Sequence, residues 1–564
     1  MGLAESGKEA VMRKSILNHM ISCLLLTALI VVSTSCGTQT ADDEVIQQSG
    51  PIKYDISHFL VAIEDEPDTV DFQCTSIHYT IATNVFNRLV ETVNDADGNM
   101  VIQPSLAKKW EISDDGRSYT FHLQEDVEFS NGKPLTSSDV QFTFERLLTH
   151  PDSCNKDIVD IIVGAAALEN GETDHLEGFK VLNDLDFVIT IEEPFEAFLA
   201  CLSMPGASIL DQETTKAAGD LFGKDAKWTI GTGSFVFRKW TPGEGMLLTA
   251  NQRCWMGVPK CEGLNLLFVN DAREIRRMFE NGEIDMLDLD EVGNSAEFFI
   301  HGREYQDRIF SVPRIGITYI ALNESIKPLD DVRVRKAMQM SLDRPTLLAA
   351  VYGGRGNVEN GIFPHGLYGY NPDLPEIPYD PAEAKELLAE AGYKDGFDLN
   401  VSVNSSSTRW EMAVLQMAAS MWEEIGVRAK IEVIDESEFM RLRKSGQLMC
   451  YTAQWMADFN DPDNFIYTFY GNSHNTEFRS LCYPREDIMK RIQLARTISD
   501  PKKRISEYQD LERIVIQEDA AWIPLFSRMR YYVTSERLKG IQATWNGSVK
   551  NMYREMSIAY DEEK

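Results

Sequence analysis

Two hydrophobic periods alternate along this chain, and that alternation leaves few fold classes open. "RSYTFHLQEDVEFSNGK" puts Tyr119, Phe121 and Leu123 on one face of a strand, with turn signals Asp115-Gly116 before it and Asn131-Gly132 after it. "YDPAEAKELLAEAG" begins with an Asp380 cap and Pro381 at the first helical position, and it stops at Gly392. Ala384, Leu387, Leu388 and Ala391 form its apolar face. A second helix is predicted from about Trp410 to Ile425, closed by Gly426. A strand "VRAKIEVID" follows, in which Val427, Ala429, Ile431 and Val433 alternate. Strand and helix periods that take turns in this way indicate an α/β fold.

The chain has 564 residues, more than one hydrophobic core usually fills, so two or more lobes are expected. Its formal charge is −33. A surface this acidic repels phosphate backbones, which argues against nucleic-acid binding.

The N-terminus reads as a targeting segment. Arg13-Lys14 precede an apolar run, Ile21 to Val32, that is short for a membrane span and ends in small residues. Thr34-Ser35-Cys36 resembles a bacterial lipobox, which makes residues 1–35 a signal peptide and Cys36 the acylated first residue. Ser33 stands where the lipobox usually has Leu. Residues 36–50 have few bulky apolar side chains and read as a tether. Of the nine cysteines, seven lie beyond this region and none forms a CxxC pair, so no zinc site is signalled. Cys254 and Cys261 are close enough in sequence to staple a loop.

"QWMADFNDPDNF" (454–465) poses the sharpest question. It holds Asp458, Asp461 and Asp463 among bulky aromatics, and no Lys, Arg or His lies between Lys444 and His474. A buried carboxylate needs a cation or full hydrogen bonding. Turn geometry around Pro462 accounts for Asp461 and Asp463 as structural residues, and a solvated turn is the plain alternative for Asp458 as well. Asp458 is left without a local partner.

Several stretches together resemble family 5 solute-binding proteins of ABC importers. They are "NRLVETVNDADGNMVIQPSLAKKWEISDDGRSYTFHLQEDVEFSNGKPLTSSDV" (87–140), "IGTGSFVFRKW" (230–240), "DDVRVRKAMQMSLDR" (330–344), "WMADFNDPDNF" (455–465) and "DAAWIPLF" (519–526). The resemblance implies a two-lobed fold like that of periplasmic binding proteins, type II in its large family 5 form, with an extra subdomain. Lobe I would span residues 51–313 with a subdomain at about 91–206, lobe II 314–528, and residues 529–564 would return to lobe I. It implies a monomer that needs no cofactor, captures an oligopeptide and hands it to ABC permease and ATPase subunits at the outer side of the cytoplasmic membrane. In the peptide-binding branches the aspartate of W-x-x-D holds the peptide's α-ammonium, and Trp455-Met456-Ala457-Asp458 matches that motif. Backbone near Gln454, Trp455 and Met456, and near Thr75, Ser76 and Ile77, would pair with the peptide main chain. Arg409 lies near, but offset from, an arginine with which dipeptide binders receive a carboxylate. Thr452 stands where some oligopeptide binders have arginine.

Other functions are weighed on the same residues. Ser105-x-x-Lys108, Ser402-x-Asn404 and Lys444-Ser445-Gly446 occur in the order of the penicillin-recognising serine hydrolases. Ser105, however, sits in a segment running into strand rather than at a helix start, so the chain is not read as an enzyme. Scattered histidines disfavour nickel or haem, and no metal site is expected. Trp and Tyr side chains could stack on an oligosaccharide. Peptide sensing without transport is a further alternative.

Overall fold

The computed structural model describes residues 59–75, 78–94, 100–289, 292, 296–407, 409–541 and 553–559. The signal segment, Cys36, the tether, Ser76, Ile77 and the side chain of Arg409 lie outside the described residues.

Twelve strands form one mixed sheet. In chain order the strands of the structure are β1 (Phe59–Glu64), β2 (Val90–Asn94), β3 (Met100–Pro104), β4 (Ala107–Ile112), β5 (Ser118–Leu123), β6 (Phe179–Val181) and β7 (Asp186–Thr190). Next come β8 (Phe235–Thr241), β9 (Gly245–Ala250), β10 (Gly263–Phe268), β11 (Met286–Asp288), β12 (Ile309–Pro313) and β13 (Gly316–Leu322). The last of the large sheet are β14 (Gly356–Val358), β15 (Phe397–Asn404), β16 (Val427–Ile434), β17 (Cys450–Met456) and β18 (Trp522–Thr534). The large sheet runs β16-β15-β17-β13-β18-β11-β1-β10-β9-β8.

β18 joins the two halves of this sheet. Its first part pairs with β13 and β14, from Trp522 opposite Ala321 to Arg528 opposite Gly356. Its second part pairs with β12 and β11, from Met529 opposite Pro313 to Thr534 opposite Met286. Thirteen residues of one strand therefore take hydrogen bonds from both halves. A separate four-stranded sheet, β4-β5-β7-β6, encloses its own core of residues drawn from Leu89 to Ile209.

The local signals act as their chemistry dictates. In β5, Tyr119, Phe121 and Leu123 are buried and their neighbours are not. Asp380 caps the helix Pro381–Glu390 by accepting from Ala382 N–H (3.0 Å) and Glu383 N–H (2.9 Å). The helix Arg409–Glu424 then links β15 to β16, which pair in parallel along eight residues. A helical crossover between adjacent parallel strands is what period-2 and period-3.6 segments in alternation require.

Two expectations are corrected. Val433 does not face a core but is 59 % exposed, near the end of β16, which is the edge strand of the sheet. Cys254 and Cys261 are not bonded to each other: each is buried separately, Cys254 beside Ser234 and Cys261 beside the Tyr553 carbonyl. Among the described residues no helix is long and apolar enough to cross a membrane.

Candidate functional site

β17 carries the stretch singled out in the sequence, and its hydrogen-bond phase decides what that stretch can offer. At one end Asn323 N–H donates to Met449 O (3.0 Å), and at the other Ala457 N–H donates to Ile315 O (2.8 Å). Bonded and non-bonded pairs alternate in an antiparallel ladder, so Tyr451, Ala453 and Trp455 bond to β13. Thr452, Gln454 and Met456 turn their N–H and C=O groups to the opposite edge. There β15 meets β17 only at Cys450, opposite Val401. Among the described residues no strand covers the rest of this edge.

The side chains divide in the same way. Gln454 donates to Thr318 Oγ1 (3.2 Å), and with Met456, Arg314, Phe526 and Arg528 it lines a shallow concavity over β13. Thr452 donates its hydroxyl to Tyr319 O (3.0 Å) and is buried. Trp455 lies on the other face, edge-on to Phe469 at 5.4 Å. Its indole N–H donates to Asn464 O (3.1 Å). Asn464 in turn accepts from Asp458 N–H (3.0 Å) at Oδ1 and donates from Nδ2 to Asp458 Oδ2 (2.9 Å). In W-x-x-D the tryptophan thus fixes Asp458 through Asn464, a residue the sequence did not single out.

The three aspartates meet different fates. Asp461 takes Arg504 in two bonds of 2.7 and 2.8 Å, with both residues buried. Asp463 takes Arg496 (3.2 Å) and the Tyr508 hydroxyl (2.9 Å). The partners lie 33 to 45 residues away in sequence, on the segment around the helix Pro501–Glu512. Asp458 forms no ion pair among the described residues. Its side chain is exposed to solvent, although the protein packs densely around it. That crowding pushes its carboxyl up to about 6; Asn464 opposes the shift, Asp157 adds to it, and Arg479 pulls it back slightly.

Two groups that act electrostatically with Asp458, Tyr79 and Asp157, come from the N-terminal half. Tyr79 Oη lies 2.8 Å from Thr75 O and 3.1 Å from Asn155 Oδ1, and Asn155 Nδ2 also donates to Thr75 O (2.9 Å). Burial raises the Tyr79 hydroxyl, and the Asp458 charge adds to the effect. The loop after Asp458 spans the same gap: Phe459 packs against the core of residues 89–209, and the Arg496 guanidinium lies 4.3 Å from the Phe195 ring.

A family model described as bacterial extracellular solute-binding proteins, family 5 Middle, matches residues 101–477, more than half of the chain. The chain belongs to this family. Among its relatives are the heme-binding protein A of Haemophilus influenzae, 29 % identical over 81 % of this chain and 84 % of that one, and the dipeptide-binding protein of Escherichia coli, 29 % identical over 78 % and 82 %. The structure of HbpA2 from Haemophilus parasuis superposes with a TM-score of 0.76 at 25 % identity, covering 89 % of this chain and 99 % of that one.

Two further clusters in this family 5 protein bear on the sequence reading. Ser105 is buried in the turn before β4, and Lys108 pairs with Glu125 (2.8 Å). Asp71, Cys74 and His150 come together although residues 74 and 150 are far apart in sequence, with Cys74 Sγ 3.4 Å from Asp71 Oδ2 and 3.3 Å from His150 Nδ1. Asp71 already carries Arg146 (2.5 Å). Burial, with Asp71 beside it, pushes the Cys74 thiol up to about 12, which disfavours the thiolate a metal would need.

Proposed function

We propose that this solute-binding protein captures extended peptides, with Asp458 receiving the α-ammonium and the open edge of β17 pairing with the peptide main chain. The observation that carries this reading is the pairing pattern within one loop: Asp461 and Asp463 have arginines, and Asp458 has Asn464 as its one partner among the described residues. A carboxylate in crowded surroundings makes a short, strong hydrogen bond to an ammonium. Thr452, Gln454 and Met456 offer alternate backbone donors and acceptors to an added strand, which supplies affinity without reading side chains. The Thr75 carbonyl, already held by Tyr79 and Asn155, is a fixed acceptor on the facing wall. The dipeptide-binding relative supports a peptide ligand.

In this reading residues 51–313 and 529–564 form one lobe, with the subdomain at about 91–206, and residues 314–528 form the other. The lobes close over the peptide, and Cys36 anchors the chain by lipid beside an ABC permease and its ATPase. Thr75, Ser76 and Ile77 contribute main-chain contacts, and Arg409 is the candidate for contact with a ligand carboxylate. The heme-binding relative supports a haem ligand instead. Mass spectrometry of small molecules released by denaturing the purified protein separates the two: peptides with free N-termini are expected, and haem, a metal ion or an oligosaccharide as the sole released solute would overturn the proposal.

A further inference from the structure

Two cysteines far apart in sequence meet across a backbone hydrogen bond. Cys154 N–H donates to Gln73 O (2.8 Å), the carbonyl of the residue before Cys74. Backbone dimensions then hold the Cα atoms of Cys74 and Cys154 to at most about 7 Å apart, and disulfides join Cα atoms about 4.4–6.8 Å apart. Both thiols also touch one short segment, His150 to Asp152. Cys74 Sγ lies 3.3 Å from His150 Nδ1, and Cys154 Sγ lies 3.5 Å from Asp152 O. Asp152 N–H is directed at the same Nδ1 (3.3 Å), which marks that nitrogen as an acceptor. The two thiols are not bonded to each other in the structure. Cys154 is exposed, unlike the other described cysteines, so its side chain has room to turn.

Each cysteine sits one residue before a group that shapes the stretch around Thr75. Asn155, next to Cys154, donates from Nδ2 to Thr75 O (2.9 Å) and to Phe72 O (3.0 Å). Tyr79 joins the same knot, with its hydroxyl 2.8 Å from Thr75 O and 3.1 Å from Asn155 Oδ1. A covalent link beside these hydrogen bonds would hold Thr75 O in place whatever solute the protein takes.

We propose that Cys74 and Cys154 form a disulfide on meeting an external disulfide, and that this link fastens the stretch around Thr75. The family model that matches the chain is one of extracellular proteins, and disulfides form and persist outside the cytoplasm. Cys154, as its thiolate, attacks one sulfur of the external disulfide; the other sulfur leaves as a thiolate and takes up the proton that Cys154 lost. Cys74 then attacks the Cys154 sulfur and expels the second external thiolate. The Cys74 proton passes to His150 Nδ1 and on to that thiolate. Two cysteine thiols are thus oxidised to one disulfide, and one external disulfide is reduced to two thiols. Burial, with Asp71 beside it, pushes the Cys74 thiol up to about 12, so Cys74 reacts second and uses the base beside it.

The test equilibrates the full chain with oxidised glutathione, blocks remaining thiols with N-ethylmaleimide, and maps the digest by mass spectrometry. A cross-linked pair of peptides carrying Cys74 and Cys154 is expected, and it should vanish after dithiothreitol. Cys74→Ser should stop at a glutathione adduct on Cys154. His150→Gln should slow the conversion of that adduct to the cross-link by about tenfold or more, with the final linkage unchanged. Oxidation closes a loop of about 80 residues and should raise the melting temperature of the wild type by about 2–5 °C, but not that of Cys154→Ser. Blocked thiols at both positions, a glutathione adduct that persists on wild-type Cys154, or a link from Cys154 to another cysteine would overturn the proposal. A cross-link that leaves the melting temperature unchanged would overturn the fastening, and an unchanged rate in His150→Gln would overturn the part of His150. If a variant fails to fold, the wild-type map and melting temperature still decide the matter.

Discussion

Asp458 and the pair Asp461 and Asp463 lie within six residues of one another, yet they occupy opposite electrostatic situations. Asp461 and Asp463 turn inward to Arg504 and Arg496, and with Tyr508 they tie the loop to the helix Pro501–Glu512. Asp458 is held by Asn464 and pairs with no cation among the described residues, while Asp157 acts on it electrostatically. The first arrangement is complete within the chain. In the proposed reading the second is completed by the ligand's ammonium, so that one carboxylate builds the loop and the other serves the ligand.

The comparison breaks most visibly at the buried pair. Arg504→Gln leaves Asp461 charged and unpaired in a buried site, and should lower stability by about 3–5 kcal/mol. Chemical denaturation measures this; a loss under about 1 kcal/mol would mean that the loop does not depend on the pair. Asn464→Ala should act on binding instead, because it removes both hydrogen bonds that orient Asp458. A loss of about 1–3 kcal/mol in peptide affinity is expected by calorimetry. The same change should raise the pH at which affinity begins to fall, since Asn464 holds the Asp458 carboxyl down.

The pH profile is the smallest of these effects. With Asp458 at about 6 in the free protein, ammonium binding favours the ionised carboxylate and so competes with a proton. Affinity should be highest near pH 7, fall by up to about tenfold per unit well below pH 6 as Asp458 takes up a proton, and fall again above about pH 8 as the peptide ammonium loses its own. Asp160 also sits at about 6, raised by burial and by Asp157, so the fall must disappear in Asp458→Asn to be assigned to Asp458. A fall that persists in that variant would move the titration to the other wall of the cleft.

Local structure was largely legible in the sequence, because it depends on near neighbours. The Asp380 cap, the Gly392 and Gly426 stops, and the in-out alternation of β5 all follow from side chains a few positions apart. What was illegible depends on residues distant in sequence. Arg496 and Arg504 lie 33 and 43 residues away in sequence, so the cations that pair with Asp463 and Asp461 cannot be read from the stretch itself. The open edge of β17 is a property of strand order, which places β15 beside Cys450 and nothing beyond it. Asn464 read as one polar residue of a turn until its amide was seen between Trp455 and Asp458. The meeting of Cys74 and Cys154 needs their two loops to be brought together first.

The central claim is that Asp458 and the peptide α-ammonium are partners. A double cycle tests it most directly: calorimetry of a free and an N-acetylated peptide, recovered from the protein itself, against the wild type and Asp458→Asn. Each single change should cost about 2–5 kcal/mol, because each strands one member of a desolvated pair. Acetylation should then cost far less in Asp458→Asn than in the wild type, since the coupling is already gone. Losses that simply add would contradict the account and return Asp458 to the turn.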